Sequence, residues 1–198
     1  MVFLLGREPH MNWNAYADVV LEVMRKLGVE ALYSVGGVQD TVSHSAPPLV
    51  SVVASSPELV NRTVQLERGL RPAEYHGPIS IHSRLIMDCR EAGFDAVSLW
   101  GHVPAYLQRN PRLVVKMVSV LNHAAGMECS LERLRQSSAE LDRKIDDAIS
   151  KDPNLKQFVE TIEGKGGAPD ASTGEEKGIR LNDFLRRDSK KDPDRWDR

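Results

Sequence analysis

Residues 2–37 read VFLLGREPHMNWNAYADVVLEVMRKLGVEALYSVGG. The apolar run Val2-Phe3-Leu4-Leu5, stopped by Gly6 and Pro9, is expected to form a buried strand that feeds a loop. From about Trp13 to Leu27, the residues Tyr16, Val19, Val20, Val23, Met24 and Leu27 recur at helical spacing, with Asn12 as N-cap and Gly28 as the left-handed stop. Ala31-Leu32-Tyr33-Ser34-Val35 then reads as a second strand ending at Gly36-Gly37. Strand, helix and strand in succession make a βαβ unit with parallel neighbours and a right-handed crossover. That unit decides the fold class: an α/β domain with a mostly parallel sheet.

Beyond it, the polar stretch Gln39 to Pro48 reads as a loop and Leu49 to Ala54 as a third strand. Residues 56–76 read as irregular apart from a short helix beginning at Pro57. Gly77-Pro78 introduces a helix through Ile81, Leu85, Ile86 and Cys89 that stops at Gly93, and Phe94 to Trp100 is the fourth strand. Asn110-Pro111 has the cap-then-proline order of a helix start, and Leu113, Val114, Met117, Val118, Leu121 and Ala125 supply its stripe up to Gly126. Ser130 then caps a helical region whose Leu131, Leu134, Ser138, Leu141, Ile145 and Ala148 alternate three and four apart, as in a short coiled-coil seam. Asp152-Pro153 breaks it, and Leu155, Phe158, Val159 and Ile162 rebuild a second helix to complete a hairpin. The expected division is therefore an α/β core over 1–127, a helical hairpin over 128–163 and a charged tail over 164–198. The tail has too few apolar residues to offset its ordering entropy and is expected to be disordered, with one transient turn over Ile179 to Leu185.

The 198 residues suffice for one core, and 26 Lys and Arg against 28 Asp and Glu give a net charge of −2. That balance offers no electrostatic reason to bind nucleic acid or an anionic membrane. Cys89 and Cys129 lie in no CxxC or Cys/His cluster, which argues against a disulfide framework or structural zinc and for a reducing, cytoplasmic setting. Met1 to Leu5 is too short to span a membrane and lacks the flanks of a signal peptide.

Candidate chemistry is sparse. His10, His44, His76, His82, His102 and His123 show no HExxH or i,i+4 pair, so neither a metal nor a cofactor is expected. Gly36-Gly37 reads as a turn requiring positive φ rather than a phosphate cradle, because no GxGxxG or GxxxxGK[ST] accompanies it. Glu8, Asp40 and Asp95 read as isolated, solvated loop acids, and Ser34, Ser43, Ser45 and Ser98 sit in no GxSxG elbow. Trp13, Trp100 and Tyr106 place large amphipathic rings near one rim of the sheet, as core or lid packing first and an interface second.

Several segments, taken in order, resemble the proteasome assembly chaperone 2 family: Leu4-Leu5-Gly6-Arg7-Glu8-Pro9 with Trp13 following, Val35-Gly36-Gly37 with the loop through His44 and Pro47, Gly77-Pro78, and Ala96-Val97-Ser98-Leu99-Trp100-Gly101-His102-Val103-Pro104-Ala105-Tyr106. The resemblance covers about residues 2–163, and the Phe184-Leu185-Arg186-Arg187 stretch also looks like bacterial and archaeal members. It implies a three-layer α/β sandwich similar to purine nucleoside phosphorylases, in a family that chaperones proteasome assembly by protein contact and has no enzyme chemistry. Family members generally carry a further βα segment ahead of the position matching Val2, so this chain is expected to enter its sheet partway. An unpaired edge of that kind favours oligomers. Proteasome-docking members end in a penultimate Tyr, where this chain ends Trp196-Asp197-Arg198, so direct insertion into proteasome pockets is not expected.

The sequence thus points to a non-catalytic, cytoplasmic interaction protein that is expected to form homo-oligomers and to bind a protein partner, with a proteasome-related one as the candidate. Its candidate rim is Glu8, Trp13, His44, Trp100, His102 and Tyr106, with helices 130–162 as a second contact surface. The alternative is a nucleoside- or phosphate-binding protein or enzyme of phosphorylase-like fold.

Overall fold

The structure, a computed structural model, describes residues 1–74 and 79–163. Gly77-Pro78 and the tail from residue 164, with its expected turn over 179–185, lie outside the described residues. In chain order the elements are α1 (Trp13–Lys26), β1 (Ala31–Asp40), β2 (Val50–Ala54), α2 (Pro57–Val64), β3 (Leu70–Pro72), α3 (Ile81–Glu91), β4 (Asp95–Pro104), α4 (Pro111–Ala124), α5 (Glu132–Lys151) and α6 (Pro153–Ile162).

The local signals account for most element ends. Gly28, Gly93 and Gly126 all take the positive φ that closes a helix. Ser56 accepts from the Leu59 N–H, Ser80 from Ser83 and Asn110 from Leu113. The Asp152 side chain accepts from both Asn154 and Leu155, so the residue that ends α5 also caps α6. Two expected caps differ. Asn12 sits at the start of α1 in a left-handed conformation and makes no side-chain cap, while Leu131 rather than Ser130 precedes α5.

The four strands form one sheet in the order β1-β4-β2-β3. β2 runs parallel to β3, with Val50 beside Leu70, and antiparallel to β4, with Val52 beside Leu99. The sheet is therefore mixed, with one parallel and one antiparallel neighbour flanking β2. The expected strand over Val2–Leu5 does not form: Phe3 is 82% and Leu5 99% exposed, and no ladder joins them to a strand. Apolar composition favours burial, but a strand also needs a partner for its backbone groups, and none pairs with this run among the described residues. The βαβ unit of the opening stretch falls with it.

Two compact units result. The first comprises Met1–Gly36, Leu49–Gly101 and Val120–Met127. Its core joins Ala17, Val20, Leu21 and Met24 of α1 to Ile81, Leu85, Ile86 and Cys89 of α3 and Ala96 of β4. Ala96, Val97, Ser98 and Leu99 are buried in succession, so both sides of β4 are covered here. The helix face of α1 differs from the expected one: Val19, Val23 and Leu27 are exposed, while Ala17 and Leu21 take the core side. The second unit comprises Gly37–Pro48, His102–Ser119 and the chain from Glu128. It has its own core of Tyr106, Leu107, Ile145, Ala148, Leu155, Phe158 and Val159, built on the α5–α6 hairpin.

Leu99 has no exposed surface, so Leu99→Ala is expected to cost about 2–5 kcal/mol in a urea unfolding series. Cys89 is likewise fully buried, and burial, with Asp88 adding to it, pushes its thiol up to about 11. Alkylation of the native protein at neutral pH is therefore expected to label exposed Cys129 and spare Cys89, as peptide mapping would report.

Candidate functional site

The six residues of the expected rim fall in two groups, one in each unit. In the first unit, the Glu8 carboxylate accepts from the Ile81 N–H at 2.8 Å, satisfying a free donor at the start of α3, where the helix dipole favours negative charge. Trp13 opens α1 and its indole N–H donates back to the Pro9 carbonyl at 2.7 Å, which fixes the turn between Glu8 and the helix. Trp100, on β4, lies with its ring 5.1 Å from that of His82 on α3.

The Trp100 ring also explains Gly36. A Cβ there would stand 2.8 Å from the indole Cζ3, closer than side chains tolerate. Neither Gly36 nor Gly37 has positive φ, and β1 continues through both to Asp40. The glycine pair is therefore not the expected turn. Gly36 serves the close approach of an aromatic face to a strand.

In the second unit, His44 and Tyr106 come together across 62 positions of sequence. The His44 backbone N–H donates to the Tyr106 hydroxyl at 2.9 Å and the His44 Nδ1 lies 2.8 Å from the same oxygen. The phenol in turn donates to Glu163 Oε1 at 2.8 Å. Because a phenol has one proton and it is directed at the carboxylate, the imidazole contact requires Nδ1–H to be the donor. The other ring nitrogen, Nε2, then faces Asp146 Oδ1 at 3.5 Å. Arg112 of α4 closes the arrangement: its Nη1 donates to the carbonyls of His44 and Ser45 at 3.3 and 3.0 Å, and its Nη2 pairs with Asp142 of α5 at 3.0 Å.

His102, the sixth rim residue, places Nδ1 at 2.6 Å from Asp40 Oδ2, while the Asp40 carbonyl accepts from the Ala105 N–H. Glu8 is an exposed loop acid, as sequence spacing suggests, but its carboxylate and that of half-buried Asp40 are not isolated, since each has a partner within the fold. Asp95 is likewise an exposed carboxylate, 3.7 Å from Arg62.

Chemically, these groups hold positions. Burial first, and then the Glu163 carboxylate, raise the Tyr106 pKa well above the usual phenol range, so the hydroxyl is a hydrogen-bond donor at all ordinary pH and not a base or nucleophile. Among the described residues no group of three or more His, Cys, Asp or Glu side chains is arranged to hold a metal. Nor is any described helix long and apolar enough to cross a membrane. Arg112, Asp142, Asp146 and Glu163 were not legible as members of this network, since only the fold brings them within reach of His44.

His82 provides a pH readout of the first group. Its Nδ1 is buried with no hydrogen-bond partner among the described residues, and burial lowers its pKa from 6.5 against the opposing pull of Glu8. Between the lowered folded value and 6.5, only the unfolded chain binds the proton, so this contribution to stability is present above 6.5 and lost as pH falls through that window. Thermal melts at about pH 7.5 and 5.5 are expected to show a smaller acid loss for His82→Gln than for the unaltered chain. Equal losses would refute the assignment.

The fold and these sites can be compared with known proteins. A family model described as the PAC2 family matches residues 1–149. A PAC2 family protein from Streptomyces avermitilis MA matches with a TM-score of 0.63 and 31% identity, over 72% of this chain and 59% of that one. A proteasome-assembly chaperone homologue from Mycobacterium tuberculosis matches with a TM-score of 0.66 and 29% identity, over 74% of this chain and 61% of that one. An archaeal homologue of proteasome-assembly chaperone from Pyrococcus furiosus, at 21% identity and a TM-score of 0.55, shares the fold over 73% of this chain and 62% of its own. The chain spans about three fifths of the length of these solved relatives. No curated protein matches it. With three quarters of its length inside one family model, and an α/β fold shared with that family's solved members, the chain belongs to the PAC2 family.

Proposed function

We propose that this chain is a non-catalytic interaction protein of the assembly-chaperone type, acting in the cytoplasm on proteasome subunits. The observation that carries the reading is membership of the PAC2 family together with 29% identity to a proteasome-assembly chaperone homologue. The state of the polar groups supports it: the buried phenol is locked as a donor, and Glu8, Asp40 and His44 are engaged with the protein's own backbone and side chains. In this reading the exposed or half-buried rim residues Glu8, Trp13, Trp100 and His102 make partner contacts. The buried pair His44 and Tyr106 holds the loop over 41–48 in the shape a partner meets. The α5–α6 hairpin is the second contact surface, and the family's three-layer, phosphorylase-like architecture is the frame for both.

The test is reconstitution with purified proteasome subunits from the same cell, followed by native mass spectrometry. The expected result is a complex with unassembled subunits that is absent from the finished particle. Failure to bind any free subunit at micromolar concentrations would overturn the proposal, as would thermal stabilisation by a nucleoside or by inorganic phosphate.

A further inference from the structure

β2, α2 and β3 form a strand–helix–strand crossover in which the two strands lie parallel and adjacent. A cavity of about 410 Å³ opens within the first unit at the carboxyl ends of these strands, where α/β crossovers ordinarily hold ligands. Its lining is partly aliphatic, with Val53 of β2, Val60 of α2 and Pro72 of β3. The rest includes polar groups that the fold leaves unused. Ser55, just beyond β2, lines the cavity and is only 6% exposed. Its Oγ accepts from the Ala96 N–H at 3.0 Å, yet its hydroxyl proton has no acceptor among the described residues. The Arg90 guanidinium of α3 and the Asn61 amide of α2 have no hydrogen-bond or ion-pair partner among the described residues either. Ser56 and Pro57 bring the start of α2, the positive end of its dipole, to the same cavity. Glu58, the acid of that turn, is exposed and is not part of the lining.

We propose that this cavity binds a small aliphatic monocarboxylate. A buried hydroxyl that accepts but does not donate is completed by an anionic oxygen. The paired N–H groups of a guanidinium match the two oxygens of a carboxylate, and the Asn61 amide can donate to the same group. Arg90 is the one full positive charge in the lining, which balances a single negative charge and leaves a phosphate dianion half neutralised. No aromatic side chain lines the cavity, so nothing there stacks on a purine or pyrimidine. Val53, Val60 and Pro72 suit a short branched aliphatic body instead. The helix dipole adds to a site that rests on the Ser55 hydroxyl and the Arg90 guanidinium. The inference stands independently of the chaperone reading.

Isovalerate serves as the probe, followed on the full chain by nitrogen–proton correlation spectra. At millimolar concentration it is expected to shift the backbone amides of Ser55, Ser56, Asn61 and Ala73 and to leave α1 and the α5–α6 hairpin unmoved. Isovaleramide keeps the aliphatic body and loses the charge, and should bind about tenfold more weakly. Isovalerate should bind Arg90→Gln about tenfold more weakly than the unaltered chain. Arg90 is exposed, so this variant should keep the melting temperature of the unaltered chain. The comparison of acid with amide needs no variant and does not depend on one folding. Absence of shifts at these amides would overturn the proposal. So would equal affinity for acid and amide, undiminished binding by Arg90→Gln, or inorganic phosphate shifting the same amides with equal or greater affinity.

Discussion

A phenol with no exposed surface must satisfy its hydroxyl inside the protein, and Tyr106 does so by joining three separate segments of chain. Its oxygen accepts the His44 N–H from the loop over 41–48, and its proton goes to Glu163 at the end of α6. An unsatisfied buried hydroxyl costs about 1–3 kcal/mol, so each partner is held in place by the others' need. The second unit's core gathers around this ring: Leu107 follows it in sequence, and Ile145, Ala148, Leu155 and Phe158 of the α5–α6 hairpin pack with it. Arg112 extends the same logic by spanning the loop carbonyls and Asp142. The loop is therefore a shaped surface although it has no regular secondary structure.

That constraint also bears on function. A side chain recruited to hold a loop is a poor reagent, since moving its proton would break the tie. Glu8 at the N-terminus of α3, as an acceptor, and Asp40 beside His102 are likewise engaged within the fold. Residue types that in another fold would suggest acid–base work are here spent on positioning.

How much of this was legible in the sequence varied with the range of the interaction. Helix ends written by local chemistry, such as Gly28, Gly93 and the Asp152-Pro153 pair, were readable because the cap and its helix are adjacent. The inward face of α1 was not, because Ala17, Val19, Val20, Leu21, Val23 and Met24 form an apolar arc wider than the part that is buried, and spacing alone does not say which part of the arc meets α3. β3 escaped notice as three residues with a proline at its end. Pro72 is tolerated because this strand lies at the sheet edge, with β2 on one side. Val2–Leu5 failed for the opposite reason, having strand composition without a ladder. Of the rim residues, His44 and Tyr106 meet as partners, yet Glu163 could not be foreseen, since 57 positions separate it from the phenol it completes.

The dependence of the second unit on the Tyr106 hydroxyl is open to one direct measurement, amide hydrogen exchange on Tyr106→Phe compared with the unaltered chain. Removing a single oxygen leaves the ring in its packing but takes away the acceptor of the His44 N–H and the phenol donor to Glu163. The account predicts faster exchange across residues 41–48 and in α6, with α1 and α3 in the first unit unchanged. Unaltered protection in the loop and α6 would contradict it.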